Sequence, residues 1–383
     1  MTDLEAYTGA DIFDGSQLLP DHALLVQAGK VVAIIPEKAL PADARIVTLK
    51  GGTIAPGFVD LQVNGGGGVM LNTAPCVATL ATMAQAHLSL GTTAFLPTLI
   101  TDTFEKTRAT IDAVEQAIAE GIPAIAGLHL EGPHLSVARK GAHDPKLIRP
   151  MEDDDLKLLC AAARRLPALM VTVAPENCTL DQVRALSAAG ATISLGHSDT
   201  TYETAMQYAE AGAQVATHLF NAMSSLQGRA PGLVGAALEN GALSAGLIAD
   251  GIHVHPDTIA LALRAKRGPG RIFLVTDAMA VAGTALKNFT LEGRRISRAG
   301  GRLSLDDGTL AGADLELAHA VQLIARKIGL GLAEALAMAT SIPADVMNLG
   351  HGRLIPGASA NFIHLDNGLN LVSVWQNAKR IKS

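Results

Sequence analysis

Residues 191–222, ATISLGHSDTTYETAMQYAEAGAQVATHLFNA, decide the fold. An apolar run ends in His197 and Asp199, the segment TYETAMQYAEAG follows, and a second apolar run leads through His218 to Asn221 and Ala222. Short, near-continuous apolar runs read as strands buried on both faces, and the interval between them has the length and pattern of a helix. Strand, helix and buried strand together make a βαβ unit in a parallel sheet.

The same alternation extends in both directions. Strand candidates lie at 57–64, 92–99, 124–132, 168–176, 191–199, 214–222, 243–251 and 271–278, and most intervals fit a helix, such as TFEKTRATIDAVEQAIAEG at 103–121. Eight strand–helix units match a (β/α)8 barrel of the TIM type. A doubly wound sheet is the alternative, but no G-x-G-x-x-G follows the first strand. GGGG at 65–68 lacks the Lys-Ser/Thr of a phosphate loop and reads as a flexible loop at the barrel mouth. Residues 1–54 and 353–383 consist instead of short β-branched runs punctuated by Gly and Pro. The expectation is one small β-sandwich domain built from both ends of the chain. The barrel then spans 55–352, with a β-hairpin insertion near 289–310 and helices after it.

Composition narrows the function. The chain has 383 residues, 30 Lys and Arg against 36 Asp and Glu, and only 3% aromatic residues. Mild acidity without a basic block argues against nucleic acid or an anionic membrane as partner, and few aromatics argue against a base-stacking platform. The 3 cysteines are far apart and form no CxxC pair, so they read as reduced, buried thiols. The first residues, MTDLEAYTG, carry acids where a signal peptide needs basic and then apolar residues. A cytoplasmic location is expected.

Polar residues gather where the apolar runs end. Gln62 and Asn64 close the first run, Glu131 the third, His197 the fifth and Asp277 the eighth; His218 lies in the sixth, and the seventh leads through Asp250 to His253. A lone His in an apolar strand is more often a hydrogen-bonded core residue than a ligand, but four chemically apt groups at equivalent strand ends point to one site. In a barrel those ends converge on the face that carries active sites. Glu131, His197 and His218 make a zinc-type ligand set with an open fourth position. Asp277 suits a general base and acid that takes a proton from water and passes it to a leaving group. The chemistry suggested is metal-dependent hydrolysis of a carbonyl–nitrogen bond.

With these residues in place, the chain resembles the amidohydrolase superfamily and, within it, the N-acetylglucosamine-6-phosphate deacetylases. The motifs that carry the likeness are PGFVDLQVNG (56–65), GLHLEGPH (127–134), KGAH (140–143), LGHSD (195–199), THLFNAM (217–223), GRAPG (228–232), ADGIHV (249–254) and LVTDAM (274–279). Many members carry His-x-His at the end of the first strand, where Gln62 and Asn64 stand here. Amides are poor transition-metal ligands beside imidazole. The resemblance therefore implies one divalent metal per subunit, zinc first, with iron, cobalt or manganese as alternatives. Gln62, Asn64 and His129 become supports of the site or remnants of a second metal position. The resemblance also implies N-acetyl-D-glucosamine 6-phosphate as substrate, in amino-sugar catabolism and cell-wall sugar recycling. His143 and His253 would contact the sugar or polarise the acetyl carbonyl, while Asn221 and Ala222 line the pocket. Arg229 matches a phosphate-binding arginine that can reach a neighbouring subunit, which implies a homodimer or a higher oligomer.

Overall fold

The computed structural model describes residues 4–382. Eight strands form the barrel sheet: β1 (Phe58–Val63), β2 (Thr92–Ile100), β3 (Leu128–Glu131), β4 (Leu169–Val173), β5 (Thr192–Leu195), β6 (Ala213–Ala216), β7 (Ser244–Leu247) and β8 (Ile272–Leu274), with neighbours in space following chain order. Pairings from β2 through β8 are parallel. A parallel bridge between Val63 and Ala278 joins the two ends, and the Asn64 amide donates to the Ala278 carbonyl at 2.8 Å. The sheet thereby closes into a (β/α)8 barrel.

Helices separate the strands, and several of them begin at a clear start signal. Thr103, Thr179 and Thr201 accept hydrogen bonds from the backbone amides of Lys106, Gln182 and Thr204, capping helices Phe104–Ala119, Leu180–Ala188 and Tyr202–Glu210. The strands themselves are shorter than the apolar runs suggest. β5 stops at Leu195, β6 at Ala216 and β8 at Leu274, so His197, His218 and Asp277 lie on the turns just beyond.

Two local expectations need correction. Residues 65–68 do not form a loose loop: Gly65–Gly66 pairs with Val69–Met70 in a two-stranded ribbon. The turn between them needs left-handed backbone at two successive residues, which Gly67 (φ +65) and Gly68 (φ +90) supply without a Cβ clash. The hairpin expected at 289–310 is a four-stranded antiparallel sheet, Asn288–Leu291, Arg294–Ala299, Arg302–Ser304 and Leu310–Ala313. Its apolar face, with Leu291, Ile296, Leu303 and Ala311, packs on Met70 and Met279. The thiols also differ from expectation, since only Cys178 is buried while Cys76 is exposed.

The chain divides into two compact units. One contains Leu61–Ala86 and Phe95–Leu315; the other combines Met1–Asp60, His87–Ala94 and Glu316–Ser383, where the sequence pattern suggested boundaries near 54 and 353. In the second unit a four-stranded sheet is built within residues 5–48, and a six-stranded sheet brings N-terminal and C-terminal strands together. Phe362, from Phe362–Leu365, pairs with Pro56 on one side and Trp375 on the other. Tyr7, Leu24, Ile54, Phe362 and Trp375 share one core, in which the Phe362 and Trp375 rings stack at 4.6 Å. Among the described residues, no helix is long and apolar enough to cross a membrane.

Candidate active site

The last residue of β3 and the turns after β5 and β6 bring three donor atoms together. Glu131 Oε1, His197 Nε2 and His218 Nε2 form a triangle with every side 3.1 Å. All three residues are buried. His197 donates from Nδ1 to the Arg139 carbonyl at 2.8 Å, so its Nε2 carries a bare lone pair. That lone pair faces a carboxylate oxygen and a second imidazole nitrogen, and at most one proton, on His218, can lie among the three atoms. A divalent cation would satisfy all three at once. Ligands held at 2.0–2.2 Å around tetrahedral zinc lie roughly 3.3–3.6 Å apart, close to the spacing seen. The residues present therefore fit a metal ion.

The electrostatics agree with a cation-binding site. Burial alone would raise the Glu131 carboxyl, but the neighbouring His197 and His218 outweigh it and hold Glu131 well below its ordinary value. Burial alone would likewise lower His218, and Glu131 reverses that shift. Glu131, His143 and His197 also bring ligand atoms within 4.8 Å of one another. The His143 Nδ1 accepts from the Thr101 amide at 3.3 Å and lies 2.8 Å from the Thr101 hydroxyl, which places its proton on Nε2. A protonated ring nitrogen is no ligand, so the tighter set with His218 is the better one.

Asp277 stands beside this triangle. Its Oδ1 accepts from Asn64 Nδ2 at 2.6 Å and from Gln62 Nε2 at 3.3 Å, and Gln62 Nε2 also donates to Glu131 Oε2 at 3.1 Å. Burial, then the nearby Glu131 charge, raise Asp277 above its ordinary value. Gln62 and Asn64 thus present amide N–H groups to two carboxylates, the opposite of what cation ligands do. His129 makes no approach to the triangle: its Nδ1 meets the Leu61 carbonyl at 3.0 Å and its Nε2 the Thr172 hydroxyl at 2.7 Å. Burial lowers it to about 4, so it is a neutral strut inside the barrel.

Glu131, His197, His218, Asp277 and Asn64 line a cavity of ≈ 340 Å³, within the usual range for small-molecule sites. His143, Asn221, Ala222 and His253 line it with them. Arg229 does not: it is exposed at the turn between the bridged residues Gln227 and Ala230. The wall contains groups that the apolar runs could not reveal. Arg139 comes from the loop after β3 and pairs with Asp199 at 2.7 Å, while Leu291, Leu310 and Gly312 come from the four-stranded insertion. Gly312 is required there, because a Cβ would lie 2.6 Å from the Asp277 carbonyl oxygen in a left-handed backbone (φ +61). The only sequence signal for this wall was the KGAH loop and the Gly-rich insertion, whose partners are distant in the chain.

Comparison with known proteins gives the same direction. Residues 53–382 match the amidohydrolase family, and residues 6–54 match the NagA composite domain. The chain belongs to the amidohydrolase family. Among relatives of this amidohydrolase, the N-acetylgalactosamine-6-phosphate deacetylase of Shewanella sp. (strain ANA-3) is 43% identical over 335 residues, covering 87% of this chain and 84% of that protein. The crystal structure of N-acetylglucosamine-6-phosphate deacetylase from Pasteurella multocida is 34% identical and superposes with a TM-score of 0.94, covering 99% of this chain and 100% of that one. A mutant of the Mycobacterium smegmatis N-acetyl-D-glucosamine-6-phosphate deacetylase, solved in complex with N-acetyl-D-glucosamine-6-phosphate, is 30% identical with a TM-score of 0.92 and full coverage, 100%, of both chains.

Proposed function

We propose that this amidohydrolase removes the acetyl group of N-acetyl-D-glucosamine 6-phosphate, giving D-glucosamine 6-phosphate and acetate. The observation that carries the reading is the 3.1 Å triangle of Glu131, His197 and His218 with Asp277 beside it at the barrel mouth. Those three residues would hold one divalent cation, zinc first, with iron, cobalt or manganese as alternatives set by geometry and supply. One ion fits better than two, since Gln62 and Asn64 turn donors toward the carboxylates. When bound, such an ion would supply Lewis acidity toward water and the amide carbonyl.

The remaining work falls to side chains of this chain. Asp277 takes the proton of the attacking water and returns it to the amide nitrogen as the C–N bond breaks, a transfer favoured by a carboxyl raised toward neutrality. Gln62 and Asn64 hold the Asp277 carboxylate in place. His143 and His253 face the substrate, and Asn221 and Ala222 shape the pocket. Arg229, away from its own cavity, serves the phosphate of a substrate in a second subunit, as the planar guanidinium suits phosphate oxygens. The working form is then a homodimer or higher oligomer, acting in the cytoplasm in amino-sugar catabolism and cell-wall sugar recycling.

A second reading concerns the sugar epimer. The relative at 43% identity is named for N-acetylgalactosamine 6-phosphate, which differs at C4 alone. Acetate release from the gluco and galacto 6-phosphates, and from N-acetylglucosamine without phosphate, tests both readings. The gluco phosphate should have the highest kcat/KM, and loss of phosphate should lower it. Equal kcat/KM with and without the 6-phosphate would overturn the substrate class, and a preference for the galacto compound would select the second reading.

A further inference from the structure

The turn after β7 contains a carboxylate that no step above uses. Asp250 follows Leu247 by three residues, and its side chain is 5% exposed. Its Oδ1 accepts from the backbone amides of Ile252 and His253, each at 2.8 Å, and its Oδ2 lies 2.6 Å from His253 Nδ1. One carboxylate therefore closes the turn and grips the imidazole that the turn presents. Burial opposes ionisation of Asp250, but the hydrogen bond from His253 outweighs it and keeps the group below its ordinary value. An ionised carboxylate can only accept, so the His253 proton at this contact must sit on Nδ1.

The consequence reaches the cavity. His253 lines it, and Nδ1 is the only ring atom engaged with the protein among the described residues. Nε2 is the polar atom left for a ligand. We infer that Asp250 is a positioning residue: it fixes the rotamer and tautomer of His253 so that Nε2 faces the substrate. The assignment rests on the proposed deacetylation for its consequence in turnover, but not for its geometry. The two imidazoles facing the substrate then differ in kind. His143 is fixed by a backbone amide and a hydroxyl at Nδ1, whereas His253 is fixed by a carboxylate that demands a proton at Nδ1.

Asp250→Asn is the test, on the metal-loaded full chain. The amide can still accept from the two backbone amides, but it no longer compels a proton on Nδ1. Loss of a partner that orients an active-site group costs about 10–100-fold, and kcat/KM should fall by that factor with metal content unchanged. Two further readouts separate positioning from a purely structural role. In 15N-correlated NMR of the wild type, the His253 ring (assigned with His253→Ala) should carry its proton on Nδ1, and Asp250→Asn should change that pattern. In a double-mutant cycle, Asp250→Asn should cost little once His253 is already Ala. A wild-type ring protonated only at Nε2, or losses that simply add in the double variant, would overturn the inference. The NMR measurement uses no substrate, so it stands apart from failure of the deacetylase reading. It also decides the matter if the Asn variant does not fold.

Discussion

Replacing Asp277 by Asn separates proton transfer from support of the site. Asp277 Oδ1 lies 2.6 Å from Asn64 Nδ2 and 3.3 Å from Gln62 Nε2, and an amide of the same shape can offer its oxygen to both donors. The turn after β8 should therefore keep its place, while the proton acceptor is gone. Positioned acid–base groups contribute about 10²–10⁴-fold, which at about 1.4 kcal/mol per decade is about 3–5 kcal/mol of barrier. We expect kcat for acetate release to fall by that factor, with metal per subunit unchanged by elemental analysis. A second readout has a definite sign. Burial and the Glu131 charge raise the folded-state Asp277 pKa, so the ionised carboxylate destabilises the metal-free fold as pH rises through that value. The neutral amide escapes this cost. Metal-free Asp277→Asn should melt above metal-free wild type at about pH 8, and the gap should close in acid where the wild-type carboxyl is protonated. Near-wild-type turnover in the metal-loaded variant would refute the proton-transfer role, and a lower melting point at alkaline pH would refute the electrostatic argument.

Three other perturbations probe the surroundings. Chelation should abolish activity and lower the melting temperature, since an ion present at 1,000 times its dissociation constant adds about 4 kcal/mol; His197→Ala should show no further shift on chelation. Gln62→Leu removes donors to two buried carboxylates, each such bond contributing about 1.5–3 kcal/mol, so calorimetry should show a lower melting point and titration a metal affinity reduced about 10–100-fold. Asp155→Asn tests a pair far from the chemistry: burial opposes ionisation of Asp155, but hydrogen bonds from Arg149 and the Glu152 amide hold it below its ordinary value. Its stabilisation is present above about pH 4 and is lost as pH falls through the folded-state pKa. Melting curves against pH should show wild type above the variant near neutrality and the two converging in strong acid.

The barrel was legible because burial on both faces leaves a sheet no choice of residue except at its ends. That is why Glu131, His197, His218 and Asp277 stood out against apolar runs, and why the structure brings them together. Contacts made across long chain separations were not legible. Nothing near Gln62 announces that its amide spans Glu131 and Asp277, 69 and 215 residues away. The Gly-rich stretch between Leu291 and Leu310 marks an insertion after β8, but not the cavity that it walls. Arg229 shows the converse case: its motif was plain, yet its own chain does not carry it to the cavity.

Backbone strain explains what the shortened strands accomplish. His197 (φ 46), His218 (φ 30) and Asp277 (φ 51) all adopt left-handed backbone, as do Phe220 (φ 77) and Ala222 (φ 48) beside them. A non-glycine residue there costs of order 1–3 kcal/mol and persists only where its surroundings over-determine it. Here they do. The Ser198 amide donates to the Ala222 carbonyl, the Leu219 amide to Gly246, and the Asn64 and Gly65 amides to Ala278. Had β5, β6 and β8 continued as extended chain, successive side chains would have alternated between barrel interior and helix layer. The left-handed step instead breaks that alternation just past each strand and turns three polar groups inward over the end of the barrel. Asp and His tolerate this conformation better than most residues, so the residue types suited to the chemistry are also among those able to make the turn. A substitution at 197 or 218 by a β-branched residue would accordingly remove a donor atom and add backbone strain together, and loss of metal in such a variant would not by itself identify a ligand. The cleaner test of ligation is His218→Asn, which keeps a polar residue tolerant of positive φ while removing the imidazole.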